Sequence, residues 1–315
     1  MSRMLVESPG MFTTVQDLGR PGFGPLGVSA SGAADSVALR LGNLLVGNPP
    51  GAAGIEMTLT GGAYSFPDGA ELALTGADFG PALDGVPVER WQVIHVAPGQ
   101  TLRLDRTRDG ARCYLCVAGG FQVDSFLGSA STHALSGLGG LEGRALKRGD
   151  VLEIGAGSMP VLRSRIRPSA LAQLQPGKLL RVTEGPQATW FDESVRAAFY
   201  RAKYSVTEEA NRMGLRLQGP PVPPAANRSM LTEGAPLGAV QVLESGQPLI
   251  LFVEQQTTGG YPKIANVIAA DMSSLGQLRP RDEVQFELVS FETARTLLRE
   301  QERLLSAGDL IERLA

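Results

Sequence analysis

Residues 246–268 read GQPLILFVEQQTTGGYPKIANVI. Two apolar runs, LILFV at 249–253 and IANVI at 264–268, flank a polar, glycine-rich insert. Short apolar runs bounded by Gly and Pro read as strands, so the stretch predicts two strands parted by a loop rich in hydrogen-bonding groups. Runs of the same kind fill most of the chain: ELALTG (71–76), WQVIHVAPG (91–99), TLRLDRT (101–107), RCYLCVAGG (112–120), DVLEIG (150–155), LLRVTEGP (179–186) and EVQFELVS (283–290). With 39 Gly and 21 Pro as turn formers, strands at this density point to barrels or sandwiches.

The order of elements repeats. The first half runs ELALTGADFG, then GQTLRLDRTRDGARCYLCVAGGF, then LKRGDVLEIG. The second runs LLRVTEGPQ, then GQPLILFVEQQTTGGYPKIANVI, then LRPRDEVQFELV. Each half closes on Leu, a basic residue, a turn ending in Asp, and a strand. The expectation is a mainly β chain with a few helices and two related β-barrel domains, 1–165 and 175–315. The junction is the basic, proline-containing segment 158–180.

Three segments carry helical spacing. ADSVALRLGNLLVG (34–47) has Asp35 as N-cap and apolar residues at Val37, Leu41, Leu44 and Leu45, with Gly47-Asn48 as its stop. SSLGQL (273–278) follows Asp271, and FETARTLLREQERLLSAGDLIERLA (291–315) closes the chain.

Composition excludes several classes. Net charge is −3 and charged residues make up 19%, which gives no basic face for nucleic acid. The start, MSRMLVESPGMF, has no apolar core of a signal peptide, and no run approaches the ~18 apolar residues of a membrane helix. A cytoplasmic protein is expected. Cys113 and Cys116 are spaced CxxC, but a strand would turn their sulfurs to opposite faces, so they read as structural thiols. His95 and His133 are too few for an imidazole-based metal site, and no metal is expected. There is no GxxxxGK[ST], GxSxG or HExxH; a serine-rich strip, GSASTHALSGLGG (128–140), lacks the rest of an amidase signature.

Residues suited to chemistry gather in the second half. In the opening stretch, Gln256, Thr257, Thr258, Gly259 and Gly260 offer an amide, hydroxyls and unobstructed backbone N–H groups. Tyr261 adds an amphipathic wall and Lys263 a point charge. Such a loop either cradles a carboxylate, a phosphoryl group or a carbonyl oxygen gaining negative charge, or is a decorated hairpin turn. In EEANRMGLRLQGP (208–220), Asn211 precedes Arg212, whose planar fork suits a carboxylate or ties two loops together. In MLTEGAPLGAVQV (230–242), Glu233 is either a proton acceptor or a solvated carboxylate. In the first half, Asp17 and Arg20 either organise a loop or line a cleft.

SPGMFTTVQDLGRPGFGPLGVSASGAADSVALRLGNLLVGN, CYLCVAGGF…LGSAST, ANRMGLRLQGP, TEGAPLGAVQV and QQTTGGYPKIANVIAADMSSLGQLRP together resemble the KipA family. Its members are also called PxpC, the C subunit of 5-oxoprolinase, and carry the older labels allophanate hydrolase subunit 2 and biotin-dependent carboxyltransferase family protein. The resemblance runs from about residue 4 to 295 and implies cyclophilin-like β-barrels. It implies partnership with a KipI-like protein (PxpB) and a LamB/YcsF-like protein (PxpA). The complex would be a hydrolase that cleaves 5-oxo-L-proline, a cyclic amide, to L-glutamate, using ATP with Mg. Catalytic roles would fall to Lys263, Arg212 and Glu233, and substrate contacts to Asn211, Gln256, Thr257, Thr258, Gly259, Gly260 and Tyr261. Related modules form the carboxyltransferase part of urea carboxylase, where carboxybiotin is the donor. This chain has no Ala-Met-Lys-Met biotin attachment sequence, so biotin would come from another protein. A third expectation is the KipA-type regulatory antagonist of a KipI-like kinase inhibitor.

Overall fold

The computed structural model describes residues 2–157, 161–225 and 230–314, to which all that follows refers. The chain divides into two compact units. One comprises 1–20, 31–174 and 304–315; the other comprises 21–30 and 175–303. The expected boundaries, 1–165 and 175–315, differ from these at two excursions. The end of the chain belongs to the first unit because strand Ile311–Arg313 pairs with Ser164–Ile166, and Leu310 is buried there beside Ile166 and Ala170. Of the expected junction, 158–160 lie outside the described residues; the remainder holds that strand and helix Pro168–Leu174.

The first unit carries two large antiparallel sheets. One has the order Phe121–Gln122, Val151–Ile154, Ser2–Ser8, Ala63–Phe66, Gln100–Arg103, Ala82–Leu83, Val86–Pro87. The other runs Phe12–Gln16, Gly54–Thr58, Asp109–Val117, Ala70–Asp78, Val93–Val96. Asp109–Val117 shows why the CxxC is not a redox pair. Cys113 belongs to the core with Ile55 and Leu115, and Cys116 to a separate cluster with Leu39 and Tyr114. The odd separation along a strand sends them to opposite faces. Helix Ser36–Leu45 starts as expected, with the Asp35 carboxylate accepting from the Ala38 N–H at 2.9 Å. Val37, Leu41 and Leu45 are buried, while Leu44, counted in the apolar spacing, is exposed.

Asp17, Arg20 and the serine-rich strip have one purpose between them. Asp17 accepts from the hydroxyls of Ser129 and Ser131 and from the Ala130 N–H. Fully buried Arg20 donates to the carbonyls of Phe126 and Ser131. They organise the 126–132 loop, and the two serine hydroxyls donate to the Asp17 carboxylate.

The second unit contains a closed barrel of seven strands. Its order is Leu179–Glu184, Lys263–Val267, Ala239–Val242, Pro248–Leu251, Gly214–Gln218, Lys203–Val206, Glu283–Leu288, the last pairing in parallel with the first. Alternation produces it: Tyr204 and Val206, Leu215 and Leu217, and Val284 and Phe286 are buried, with polar residues between them. Helix Glu193–Arg201 puts Phe199 against Phe286, rings stacked at 4.6 Å. Asp271 precedes helix Met272–Gln277, and both its carboxylate oxygens engage Arg181. The closing helix ends at Leu305, and the chain then becomes strand rather than the continuous helix expected to 315.

The internal rhyme is physical. In the first unit the Asp150 carboxylate accepts from the Lys147 N–H at 2.8 Å and a strand follows at Val151. In the second, Asp282 accepts from the Arg279 N–H at 2.9 Å and a strand follows at Glu283. The same aspartate-closed turn launches both strands.

Candidate functional site

The insert in 246–268 meets the barrel at Lys263, the first residue of its strand. Strand Ala239–Val242 lies beside it, with Val240 opposite Ala265 but Gln241 opposite Lys263. An unbroken register would set Gln241 against Ile264. The extra residue is a β-bulge, and a shift of one residue exchanges faces. It brings Lys263 to the same side of the sheet as Gln241, since directly opposed residues share a face.

Lys263 is 1% exposed. Its ammonium lies 2.6 Å from Glu233 Oε1 as an ion pair, the one side-chain partner it has among the described residues. Gln187 builds the surround. Its backbone N–H donates to the Lys263 carbonyl, its side-chain oxygen accepts from the Lys263 N–H at 3.1 Å, and its amide nitrogen donates to Glu233 Oε1 at 2.9 Å. The Lys263 ammonium, then the Gln187 amide, hold the Glu233 carboxyl below its ordinary value of 4.5.

Glu233 is delivered by the loop. Glu233–Gly234 forms a short ladder with Thr258–Gly259, in which Glu233 opposes Gly259. This amends the expectation that the Thr257–Gly260 backbone stands open: Thr258 and Gly259 are engaged in the ladder, and the Thr257 carbonyl accepts from Ala235 N–H. Pairing is favoured because it satisfies backbone groups that would otherwise need a ligand or water. Gln256, Thr258 and Gly260 remain exposed, and Tyr261 is half-buried. Gly259 has a packing reason to be glycine. A Cβ there would stand 2.6 Å from Gln241 Nε2 and 3.1 Å from Gln256 Nε2.

Arg212 and Asn211 take the bland reading. Arg212 is buried, and its Nε donates to buried Glu254 at 2.5 Å, so its charge is met within the protein. The Asn211 side-chain oxygen accepts from the N–H groups of Met213 and Gly214, shaping the turn into strand Gly214–Gln218. Neither is held in the Lys263–Glu233 cluster by any of these bonds. Sequence reasoning missed Gln187 and Gln241. Gln187 stood at the end of the segment LLRVTEGPQ and Gln241 near the end of the motif MLTEGAPLGAVQV, and neither was singled out. The one available signal was the polar residue in GAVQV, whose neighbours are all buried.

The barrel strand is thus bulged at a buried lysine whose acidic partner comes from a crossing loop. The family model for the carboxyltransferase domain, subdomain A and B, matches residues 26–288, and the chain belongs to that family. The C subunit of 5-oxoprolinase from Escherichia coli (strain K12) is 42% identical over 294 residues, covering 93% of this chain and 94% of that one. Its Haemophilus influenzae counterpart of the same name is 38% identical, covering 92% of each. Urea amidolyase of Saccharomyces cerevisiae is 34% identical over 96% of this chain, which spans only 18% of that protein. The crystal structure of Kluyveromyces lactis urea amidolyase matches with a TM-score of 0.89 at 30% identity, over 98% of this chain and 21% of the larger one.

Proposed function

We propose that this chain is the C subunit of an ATP-dependent 5-oxoprolinase, acting with A and B subunits to open 5-oxo-L-proline to L-glutamate. The carrying observation is the Lys263 ammonium, 1% exposed and paired at 2.6 Å only with a carboxylate that is itself 43% exposed. A buried cation so placed is suited to an oxygen that gains negative charge. In the proposed reaction that oxygen is the lactam carbonyl. It attacks the terminal phosphorus of ATP, giving ADP and a phosphorylated imidate. Water then adds to the ring carbon, the C–N bond breaks to give the amine and an acyl phosphate, and a second water hydrolyses the acyl phosphate to the carboxylate and phosphate. ATP with Mg supplies the phosphoryl group. In this chain, Lys263 would bear on the lactam oxygen and Glu233, kept ionised by Lys263 and Gln187, would accept a proton. Gln256, Thr257, Thr258, Gly260 and Tyr261 would border the substrate, and Gly259 would leave it room. Arg212 and Asn211 are assigned structural parts. The two 5-oxoprolinase relatives, similar along almost their whole length, support this reading.

A second reading rests on the similarity to urea amidolyase: transfer of a carboxyl group from an external carboxybiotin to urea or a similar amide. The same site serves it, since a ureido oxygen makes the same demand.

The test combines this chain with its KipI-like and LamB/YcsF-like partners, 5-oxoproline and ATP, omitting each protein in turn. Glutamate formation that requires this chain supports the proposal. Glutamate formed equally without it, or carboxylation of urea in its place, refutes it.

A further inference from the structure

The geometry points to Gln241 as the residue that reads the amide edge of the ligand, selecting cis amides — lactams and ureas — over trans amides and carboxylates. This deepens the proposed function and rests on the same site. Gln241 is 0% exposed, yet neither its Oε1 nor its Nε2 meets a hydrogen-bond partner. Burying both ends of a carboxamide unpaired is costly, and native proteins rarely leave it so without a further occupant. The side chain is not adrift. It shares a face with Lys263 through the bulged register, and its Nε2 sits where any side chain at Gly259 would collide with it.

A carboxamide presents a donor and an acceptor along one edge. A ligand in which N–H and C=O lie on the same side of the C–N bond meets that edge with two antiparallel hydrogen bonds. A ring imposes that arrangement on a lactam, and urea has it by constitution. An ordinary secondary amide is trans and turns its N–H and C=O in opposite directions. A carboxylate brings acceptors only and leaves Oε1 unpaired. The ligand carbonyl, with two lone pairs, has room for the Lys263 ammonium beside the Gln241 N–H. Donor and acceptor would therefore both be read before the oxygen is charged.

The test titrates the purified chain with 2-pyrrolidinone, N-methyl-2-pyrrolidinone, 2-imidazolidinone and 5-oxoproline by ligand-observed NMR, using wild type, Gln241→Met and Gln241→Glu. N-methylation removes the ligand's donor and leaves its carbonyl, so wild type should favour 2-pyrrolidinone by about 10- to 100-fold. Gln241→Met should erase that preference. Gln241→Glu should weaken binding through the lost donor to the carbonyl. Equal binding of the methylated and unmethylated lactams, a preference that survives Gln241→Met, or no binding of any probe overturns the inference. The two proposals fail separately. Gln241-dependent binding of 2-imidazolidinone without any oxoproline turnover in the three-protein assay sinks the 5-oxoprolinase reading alone. Full turnover by Gln241→Met sinks this one alone.

Discussion

Replacing Lys263 with Met separates the chemistry of the site from its architecture. The side chain is 1% exposed, and its partner Glu233, 2.6 Å away, is 43% exposed. Met has nearly the same volume and needs no solvation. Exchange of a buried charge for a well-packed apolar group is commonly neutral, or stabilising by about 1–4 kcal/mol. The Glu233 carboxylate left behind retains Gln187 and water, so no orphaned buried charge results. Stability should therefore hold within about 1 kcal/mol of wild type, or rise. Turnover should not. Loss of one preorganised donor to a developing oxyanion costs about 2.7–4 kcal/mol, a 10²- to 10³-fold fall in kcat. The assays are urea unfolding of the isolated chain and glutamate formation by the three-protein mixture. A folded Lys263→Met protein that turns over within about threefold of wild type would leave the oxyanion role without support.

Four further outcomes follow from the geometry. The Glu233 carboxyl should titrate below 4.5 in the wild-type protein, and nearer the ordinary value in Lys263→Met, followed by carboxyl-carbon NMR. Because its folded-state pKa is depressed, its contribution to stability should be present above the unfolded pKa and fade as pH falls through the folded one. Gly259→Ala should leave the fold intact, since the added methyl meets side-chain amides rather than backbone, but should cut turnover by displacing the Gln241 amide; unchanged kinetics would contradict the packing. Gly185→Ala is the contrast: its methyl would stand 2.2 Å from the Lys263 carbonyl oxygen, and overpacking against backbone should cost about 1–3 kcal/mol in urea unfolding. Cys113 and Cys116 are fully buried, and burial pushes the Cys113 thiol up to about 12 and Cys116 higher still, so neither should react with a thiol reagent until the chain unfolds; rapid native labelling would refute the strand placement.

Much of this architecture is legible in the residues. The Asp35 N-cap, the opposite faces of the CxxC and the aspartate-closed turns at Asp150 and Asp282 follow from local chemistry, which acts over a few residues. Helix Glu193–Arg201 escaped notice because its buried anchor is a single aromatic, Phe199. The tail at Ile311–Arg313 escaped because pairing with Ser164–Ile166 depends on a partner almost 150 positions away. Lys263 and Glu233 were visible as polar residues in glycine-rich loops. Their meeting was not, because it depends on the ladder between Glu233–Gly234 and Thr258–Gly259. Gln241 was hidden most completely. Only the bulge at Ile264, a property of the folded register, sets it beside Lys263. Arg212 stays two-sided in the sequence because an arginine suited to a ligand carboxylate is equally suited to Glu254, which it meets in the structure.

The most direct measurement is a crystal structure of the three-protein complex with 5-oxoproline. The account predicts the lactam oxygen within hydrogen-bond reach of Lys263 Nζ and the lactam edge against the Gln241 amide. A lactam seated elsewhere, with the Lys263 ammonium still facing only Glu233, would contradict it.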